Sequence, residues 1–372
     1  MNKNLVKAYE VDASGIRGKA LDVVTPRSIA ELRGVVANAR RIVPRGGGTG
    51  LVGGAVPQKG KDVVVEMLKL NRISALDIGR ATVEAEAGVV LDDLQNYLEK
   101  YGLEFPVNPL SHEVATIGGM IATDAVGSRA VKYGKTSNWV RWVEVVNGRG
   151  EIERKGATEL SDYAGMEGIT GVIVKACLKL VPLKKRTVSL FKIESVSEVI
   201  SAVKNLKMNP NVSMIEFLDK VISRGIGLEE NYHLIVEYED GSGKLRGDDY
   251  KNLLAVRDKV YPYLAGEGYG RIEDPKILVD KFDKLLPWLE SKGIPVFGHL
   301  GAGILHPCFN KDTKKFIPEL MKFVRQHGGV VSGEHGIGLL KKEFVEANDK
   351  KILVNVKKRT DPENKFNAGK VL

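Results

Sequence analysis

Six of the ten residues in Arg45-Gly-Gly-Gly-Thr-Gly-Leu-Val-Gly-Gly54 are glycine. A stretch so bare of side chains adds little to a core. It suits a place where the main chain turns tightly or lies directly against a ligand. Backbone N–H groups turned inward along such a loop cradle phosphate oxygens, and Arg45 adds positive charge. No Gly-Lys-Ser/Thr follows, so this is not a P-loop. The spacing, with no long helix after it, also fits the dinucleotide fingerprint poorly. On these ten residues alone, phosphate binding and an ordinary tight turn both stay open.

Composition narrows the class. The chain has 372 residues, 43% of them hydrophobic and 28% charged, which allows two domains and rules out global disorder. Two isolated cysteines, Cys177 and Cys308, rule out a disulfide framework, a zinc ribbon and a cysteine-ligated iron–sulfur cluster. The net charge of +9 admits an acidic ligand, a nucleic acid or an anionic surface. The basic residues are spread thinly, however, and aromatics do not interleave with them, so no nucleic-acid stacking platform is expected. The first residues lack the apolar core of a signal peptide. The most apolar stretch, Gly171 to Leu183, is too short to span a bilayer and carries Lys175 and Lys179. The expectation is a cytoplasmic protein with at most peripheral membrane contact.

Local patterns set the expected elements. Ser28 to Glu31 is a capping box opening a helix to Ala39. Strands are expected at 63–67, 82–87 and 172–181, with Val174, Ala176, Leu178 and Leu180 facing inward on the last. A helix spans 91–101, and Asn147 to Gly150 turns a hairpin between 140–146 and 151–154. After Pro182 the Lys184-Lys185-Arg186 run marks a boundary. Beyond it, strands at 189–193, 214–218 and 233–237 alternate with helices at 196–206, 248–264 and 277–289. That alternation reads as a second α+β domain.

The glycine loop does not stand alone. Together with Ala115-Thr-Ile-Gly-Gly119, Gly127-Ser-Arg-Ala-Val-Lys-Tyr-Gly134, Glu167-Gly168 and Gly171-Val172, it resembles the FAD domain of the vanillyl-alcohol-oxidase (PCMH-type) flavoproteins. The resemblance extends through Gly298–His306, Ser332–Gly338 and Asn367–Leu372. The nearest patterns are those of the glycolate oxidase FAD subunit and the D-lactate and D-2-hydroxyglutarate dehydrogenases. It implies an α+β chain with a two-subdomain FAD-binding domain over 1–184 and an α+β substrate (cap) domain over 185–328. A C-terminal segment, 329–372, would return to the flavin. By the same resemblance, Arg45, Gly46, Gly47, Gly48, Thr49, Gly50 and Leu51, with Thr116, Gly118, Gly119 and Ala122, hold the cofactor. Pro106, Gly127, Glu167, Gly171, Val172 and Asn367 complete the set. Neither glycine loop offers a His or Cys, so FAD is expected to be non-covalent.

Gly298-His299-Leu-Gly-Ala-Gly-Ile-Leu-His306 carries two histidines on opposite faces of any continuous strand, so a turn at Gly301 to Gly303 must bring them together. Ser332-Gly-Glu-His-Gly-Ile-Gly338 adds Glu334 and His335. Two imidazoles and a carboxylate are a workable zinc or manganese set with an open position. Histidines beside glycine also serve packing or hydrogen bonding, and both readings stand on the residues alone. His112, His233 and His327 lack such company and read as structural. Similarity to the D-2-hydroxyacid dehydrogenases implies a divalent metal on His299, His306 and Glu334, with His335 as the base. It also implies a carboxylate clamp at Arg257, in Leu254-Ala-Val-Arg257, or at Arg271. Three departures stand out. Ala302 and Ile304 replace the motif's usual Asp and Asn, and Met166-Glu-Gly-Ile-Thr-Gly171 replaces Ser-Glu-Gly-Thr-Leu-Gly. The chain is also short in its middle region.

The expected activity is FAD-linked oxidation of a small 2-hydroxy acid, of glycolate or D-lactate type. Electrons would leave to oxygen, a quinone, a cytochrome or an iron–sulfur partner subunit. The alternatives are a non-catalytic flavin-binding subunit, which Ala302 and Ile304 favour, and a metal-dependent hydrolase.

Overall fold

The computed structural model describes residues 3–372. Two units make up the chain. One holds the residues up to Ala125, Lys135–Leu183 and Glu334–Leu372, and the other holds Val126–Gly134 and Lys184–Gly333.

In the first unit the expected alternation sets a five-stranded antiparallel sheet. Strand Val172–Lys179 lies at its centre and turns Val174, Ala176 and Leu178 into the core. Thr82–Glu86 pairs on one side and Val140–Val146 on the other, with Ile73–Asp77 and Ile152–Gly156 at the edges. The Asn147–Gly150 turn is present, and Gly150 takes the left-handed φ of 77° that favours glycine. A second sheet of three parallel strands places Asp62–Glu66 between Ala20–Val24 and Ile42–Arg45. The glycine loop begins where that last strand ends. The turn-rich tail is buried rather than loose. Lys357 Nζ donates to Asp361 Oδ2 at 2.5 Å and to the carbonyls of Ile169 and Phe366 at 2.7 and 2.6 Å.

The second unit is built on a six-stranded sheet. Its order is Thr187–Ile193, Tyr232–Tyr238, Val212–Leu218, Val296–His299, His306–Phe309 and Arg271–Ile272, all pairs antiparallel. Helices cover both faces. Val199, Val203, Leu285, Leu289 and Leu320 pack with Ile215 and Phe217 on one face. Ile222, Leu253, Val260 and Leu264 pack with Met214, Leu218 and Ile235 on the other. Two expected helices are corrected. The span 248–264 breaks into Asp248–Asp258 and Val260–Gly266, because Pro262 has no N–H to continue the ladder. The span 277–289 becomes helical only from Phe282, after a 3₁₀ turn at Val279–Lys281, and ends at Ser291.

The Gly127–Gly134 motif owes its polar residues to this unit. Arg129 donates from Nε and Nη2 to Glu237 at 2.9 and 3.3 Å, and Tyr133 donates to Glu239 at 2.7 Å. Glu237 is 1% exposed and also accepts from Ser213 at 2.7 Å and Tyr250 at 2.5 Å. Arg186 lies 3.4 Å from the same carboxylate. Removing one partner of a buried pair leaves the other charge uncompensated. Glu237→Ala is therefore expected to destabilise the protein by about 3–5 kcal/mol in chemical denaturation. A loss under about 1 kcal/mol would show that the cluster is solvated rather than structural.

Candidate active site

The glycine loop follows the buried strand residues Ile42 and Val43 and stays half-buried from Arg45 to Leu51. None of the six amides from Gly46 to Leu51, Thr49 included, donates a hydrogen bond to a described residue. Half-buried amides ordinarily find acceptors, and a run of free ones suits anionic oxygens. Not every glycine serves that cradle. A Cβ on Gly47 would lie 2.1 Å from the Val114 carbonyl oxygen, and one on Gly46 would lie 2.2 Å from Thr116 Oγ1. These two are bare so that the loop can pack against the segment before helix Ile117–Thr123. A Cβ on Gly50 would meet nothing within 4 Å, so that position faces open space. Arg45 is half-buried, and its guanidinium sits 5.6 Å over the Tyr9 ring.

The other expected cofactor residues divide similarly. Thr116 caps helix Ile117–Thr123 by accepting from Gly119 N, and a Cβ on Gly118 would lie 2.6 Å from Ala87 Cβ. Ala122 accepts from Glu167 N at 2.7 Å. Pro106 is buried next to Phe105, which Gln95 holds by both backbone groups. Gly171 and Val172 pack under strand Val140–Val146. Gly127 is buried in the second unit.

Glu167 takes a role that its motif did not reveal. Its two carboxylate oxygens accept from Ile337 N at 2.6 Å and Gly338 N at 2.9 Å. Its backbone carbonyl accepts from Asn367 Nδ2 at 2.7 Å, and the same amide reaches the Gly54 carbonyl at 3.2 Å. Lys370 Nζ closes the network on Gly54 O at 2.7 Å and Asn367 Oδ1 at 2.9 Å. Loop Gly336–Gly338 thus lies on the glycine loop so closely that a Cβ on Gly338 would lie 2.2 Å from Val52 O. Burial pushes the Glu167 carboxyl up to about 7, against the pull of the two amides. Burial likewise pushes the Lys370 ammonium down to about 7. On this loop, His335 Nε2 lies 3.8 Å from Glu334 Oε1, and both side chains are largely buried.

In the second unit the expected turn is present. A 3₁₀ turn at Leu300–Ala302 and left-handed Gly303, φ 75°, reverse the chain between the two histidine strands. Phe297 pairs with His306, and the rings of His299 and His306 meet edge-on with centroids 5.2 Å apart. Gly333 N donates to Asp274 O at 2.7 Å, and Ser332 Oγ donates to the Asp274 carboxylate. These bonds fix the chain up to the residue before Glu334. His299 and His306 lie in this unit, and Glu334, the next residue after it, completes the expected donor set in sequence. A borderline cation such as zinc or manganese suits that nitrogen and oxygen donor set.

Two residues near the histidines escaped the sequence reading or only half entered it. Glu216, 2% exposed, pairs in register with His299 and accepts from its Nδ1. Its other oxygen lies 3.6 Å from Arg257 Nη1. Arg257 follows Leu253 by one turn on the helix covering this face. Its Nη2 lies 3.0 Å from Asp258, while its buried Nε and Nη1 have no hydrogen-bond partner among the described residues. Arg271 is placed differently. It pairs with Phe309, whereas its neighbour Ile272 pairs with Cys308, which shares the face of His306. Its Nε and Nη2 both reach Glu273 Oε1 at 2.5 Å. The remaining histidines have structural partners, with His112 on Asp92 and His233 on Ser223. His327 bonds the Phe323 carbonyl.

Residues 20–156 match the FAD binding domain family, and residues 249–371 match the C-terminal domain of FAD linked oxidases. A D-lactate dehydrogenase of Anaerostipes hadrus is 30% identical, with the match covering 97% of this chain and 91% of the relative. The chain belongs to the FAD-linked oxidase family. The glycolate oxidase subunit GlcD of Bacillus subtilis is 29% identical over 94% of this chain and 88% of its own length. A D-2-hydroxyglutarate dehydrogenase of Xanthomonas citri pv. viticola is 26% identical over 94% and 89%. Among solved structures, an alkyldihydroxyacetonephosphate synthase superposes with a TM-score of 0.69 at 17% identity, covering 93% of this chain and 75% of its own. That likeness shows the fold, the PCMH-type architecture expected from the motifs. The chain is thus a flavoprotein oxidoreductase, and the glycine loop falls within its FAD-binding domain. Among the described residues, no helix is long and apolar enough to cross a membrane.

The Glu167 staple has a pH signature. A carboxyl held near 7 in the folded chain, against an ordinary value near 4.5, contributes stability that is full below about 4.5 and lost as pH rises through about 7. Lys370 acts in the opposite direction, costing stability as pH falls from its ordinary range through about 7. Glu167→Gln has no carboxyl to ionise. Its melting temperature relative to the native chain is expected to rise between pH ~5 and ~7.5. A difference that does not change with pH would contradict the assignment.

Proposed function

We propose that the chain oxidises a small 2-hydroxy acid to the 2-oxo acid. The single observation that carries this reading is the buried, edge-on pair of His299 and His306 on a chain with an FAD-binding domain. The relatives are named for lactate, glycolate and 2-hydroxyglutarate, which share one 2-hydroxycarboxylate unit. That unit is the substrate class inferred here.

Oxidation takes a hydride from the hydroxyl-bearing carbon and a proton from its oxygen. FAD, when bound, would supply the two-electron acceptor, and the absence of His or Cys from the glycine loops favours non-covalent binding. His299, His306 and Glu334 would hold a zinc or manganese ion, which when bound would lower the pKa of the substrate hydroxyl and orient the carbon. His335 accepts the hydroxyl proton as a neutral imidazole. The stapled loop keeps this base in place. Arg257 takes the substrate carboxylate, since its buried guanidinium keeps N–H groups at Nε and Nη1 without an acceptor among the described residues. The strand register and the Glu273 pairing favour Arg257 over Arg271 for this role. With no cluster motif in the chain, the electrons pass to an external acceptor or a partner subunit.

One observation favours the second reading, a non-catalytic flavin-binding subunit. Ile304 is buried at the position where the resembling family's motif has Asn, and it packs so tightly that a Cβ on Gly333 would lie 2.8 Å from its Cγ1. Apolar packing has replaced a polar group one residue from Glu334. The four retained site residues argue the other way.

Kinetics of substituted enzymes separate the two readings. His335→Ala is expected to keep FAD and metal while lowering kcat and kcat/KM by similar factors, about 10²–10⁴. His299→Ala or His306→Ala loses metal first, and activity follows. Arg257→Lys mainly raises KM, because a point charge cannot reproduce a fork. Native protein without bound metal, together with a His335→Ala variant that reduces flavin at the native rate, would leave the subunit reading.

A further inference from the structure

We propose that Glu216 is a positioning residue that holds His299 as its Nδ1–H tautomer and thereby turns the Nε2 lone pair outward as a metal ligand. This rests on the metal assignment above.

The argument begins with a residue that packing alone does not call for. Every residue of strand Val212–Leu218 is buried. Along the face of Met214 and Leu218, both members of an apolar cluster, the position between them is Glu216. A leucine or methionine would fill that place without desolvating a charge. A buried carboxylate persists at such a cost only where partners hold it. Glu216 has two. One oxygen accepts from His299 Nδ1, directly across the strand pair, and the other faces the Arg257 guanidinium 3.6 Å away. Arg257 supplies the opposite charge, so the carboxylate does not need a second imidazole.

The tautomer follows from donor and acceptor chemistry. An ionised carboxylate only accepts, so the ring nitrogen beside it must carry the proton. A neutral imidazole has one N–H, which leaves Nε2 as a lone pair. Histidines that bind metals commonly donate their other N–H to a carboxylate, and losing that partner weakens metal affinity by about 10–100-fold. Glu216 therefore acts on the metal through His299 without touching it.

Two measurements test this on the full chain with FAD bound. In the first, metal-depleted protein is titrated with zinc or manganese against a chromophoric chelator. Glu216→Gln is expected to bind about 10-fold more weakly than the native chain, with unchanged FAD content. In the second, nitrogen-15 histidine spectra of the unsubstituted protein, assigned by His299→Ala, should show the His299 proton on Nδ1. This arm holds even if Glu216→Gln fails to fold. A proton on Nε2, or a folded Glu216→Gln variant with affinity within twofold of native, overturns the role of Glu216. If His299→Ala still abolishes metal binding in that case, the metal site itself stands. If the native chain binds neither metal, both the metal assignment and this inference fall.

Discussion

The loop that carries Glu334 and His335 is held by one buried carboxylate far away in sequence. Glu167 binds two amides of that loop across 170 and 171 residues of chain. Each hydrogen bond to a charged acceptor contributes about 1.5–3 kcal/mol. Desolvation still outweighs them, which is why the carboxyl is pushed up to about 7. Glu167 also adopts a left-handed φ of 49°, which is uncommon for a residue with a Cβ. These costs persist because three stretches need a common anchor. Asn367 Nδ2 donates to the Gly54 and Glu167 carbonyls and Lys370 Nζ donates to Gly54 O, so the end of the glycine loop, the Glu167 segment and the tail meet there. Backbone bonds from Leu339 N to Val52 O and from Val371 N to Gly338 O, each 2.8 Å, add to that anchoring.

What was legible in the sequence was what leaves a local trace. The glycine loop, the Asn147–Gly150 hairpin, the alternation of Val172–Lys179 and the reversal between His299 and His306 all show in windows of a dozen residues. What was not legible depends on pairing across distance. Glu216 sits in a run that reads as an apolar strand, and its partner is 83 residues away. Only the register of strands Val212–Leu218 and Val296–His299 brings the two together. The motif around Glu167 suggested a lining residue, because a motif records that a residue matters and not which of its atoms is used. The broken helix at 248–266 had a visible signal in Pro262, which the hydrophobic spacing on either side masked.

Chemistry divides between two kinds of local order. In the first unit the candidate groups are backbone amides, and at Gly46, Gly47 and Gly338 side chains are absent because nothing larger than hydrogen fits. In the second the decisive groups are side chains on a sheet face sealed by helices, where dielectric screening is weak and each charge needs a named partner. Arg257, Glu216 and His299 form a chain of such partners. Arg271 and Glu273 form a separate pair that closes the sheet edge. The family gives the redox chemistry, and the arrangement around His299 supports reading a 2-hydroxycarboxylate as its substrate.

The central claim is that this flavoprotein removes a hydride from a 2-hydroxy acid. Anaerobic mixing of the FAD-loaded protein with a panel of D- and L-2-hydroxy acids, followed at the visible flavin band, tests it most directly. The account predicts that at least one acid bleaches the band, and that its opposite enantiomer, where one exists, does so far more slowly. A band unchanged by every acid, in protein that dithionite still bleaches, would contradict it.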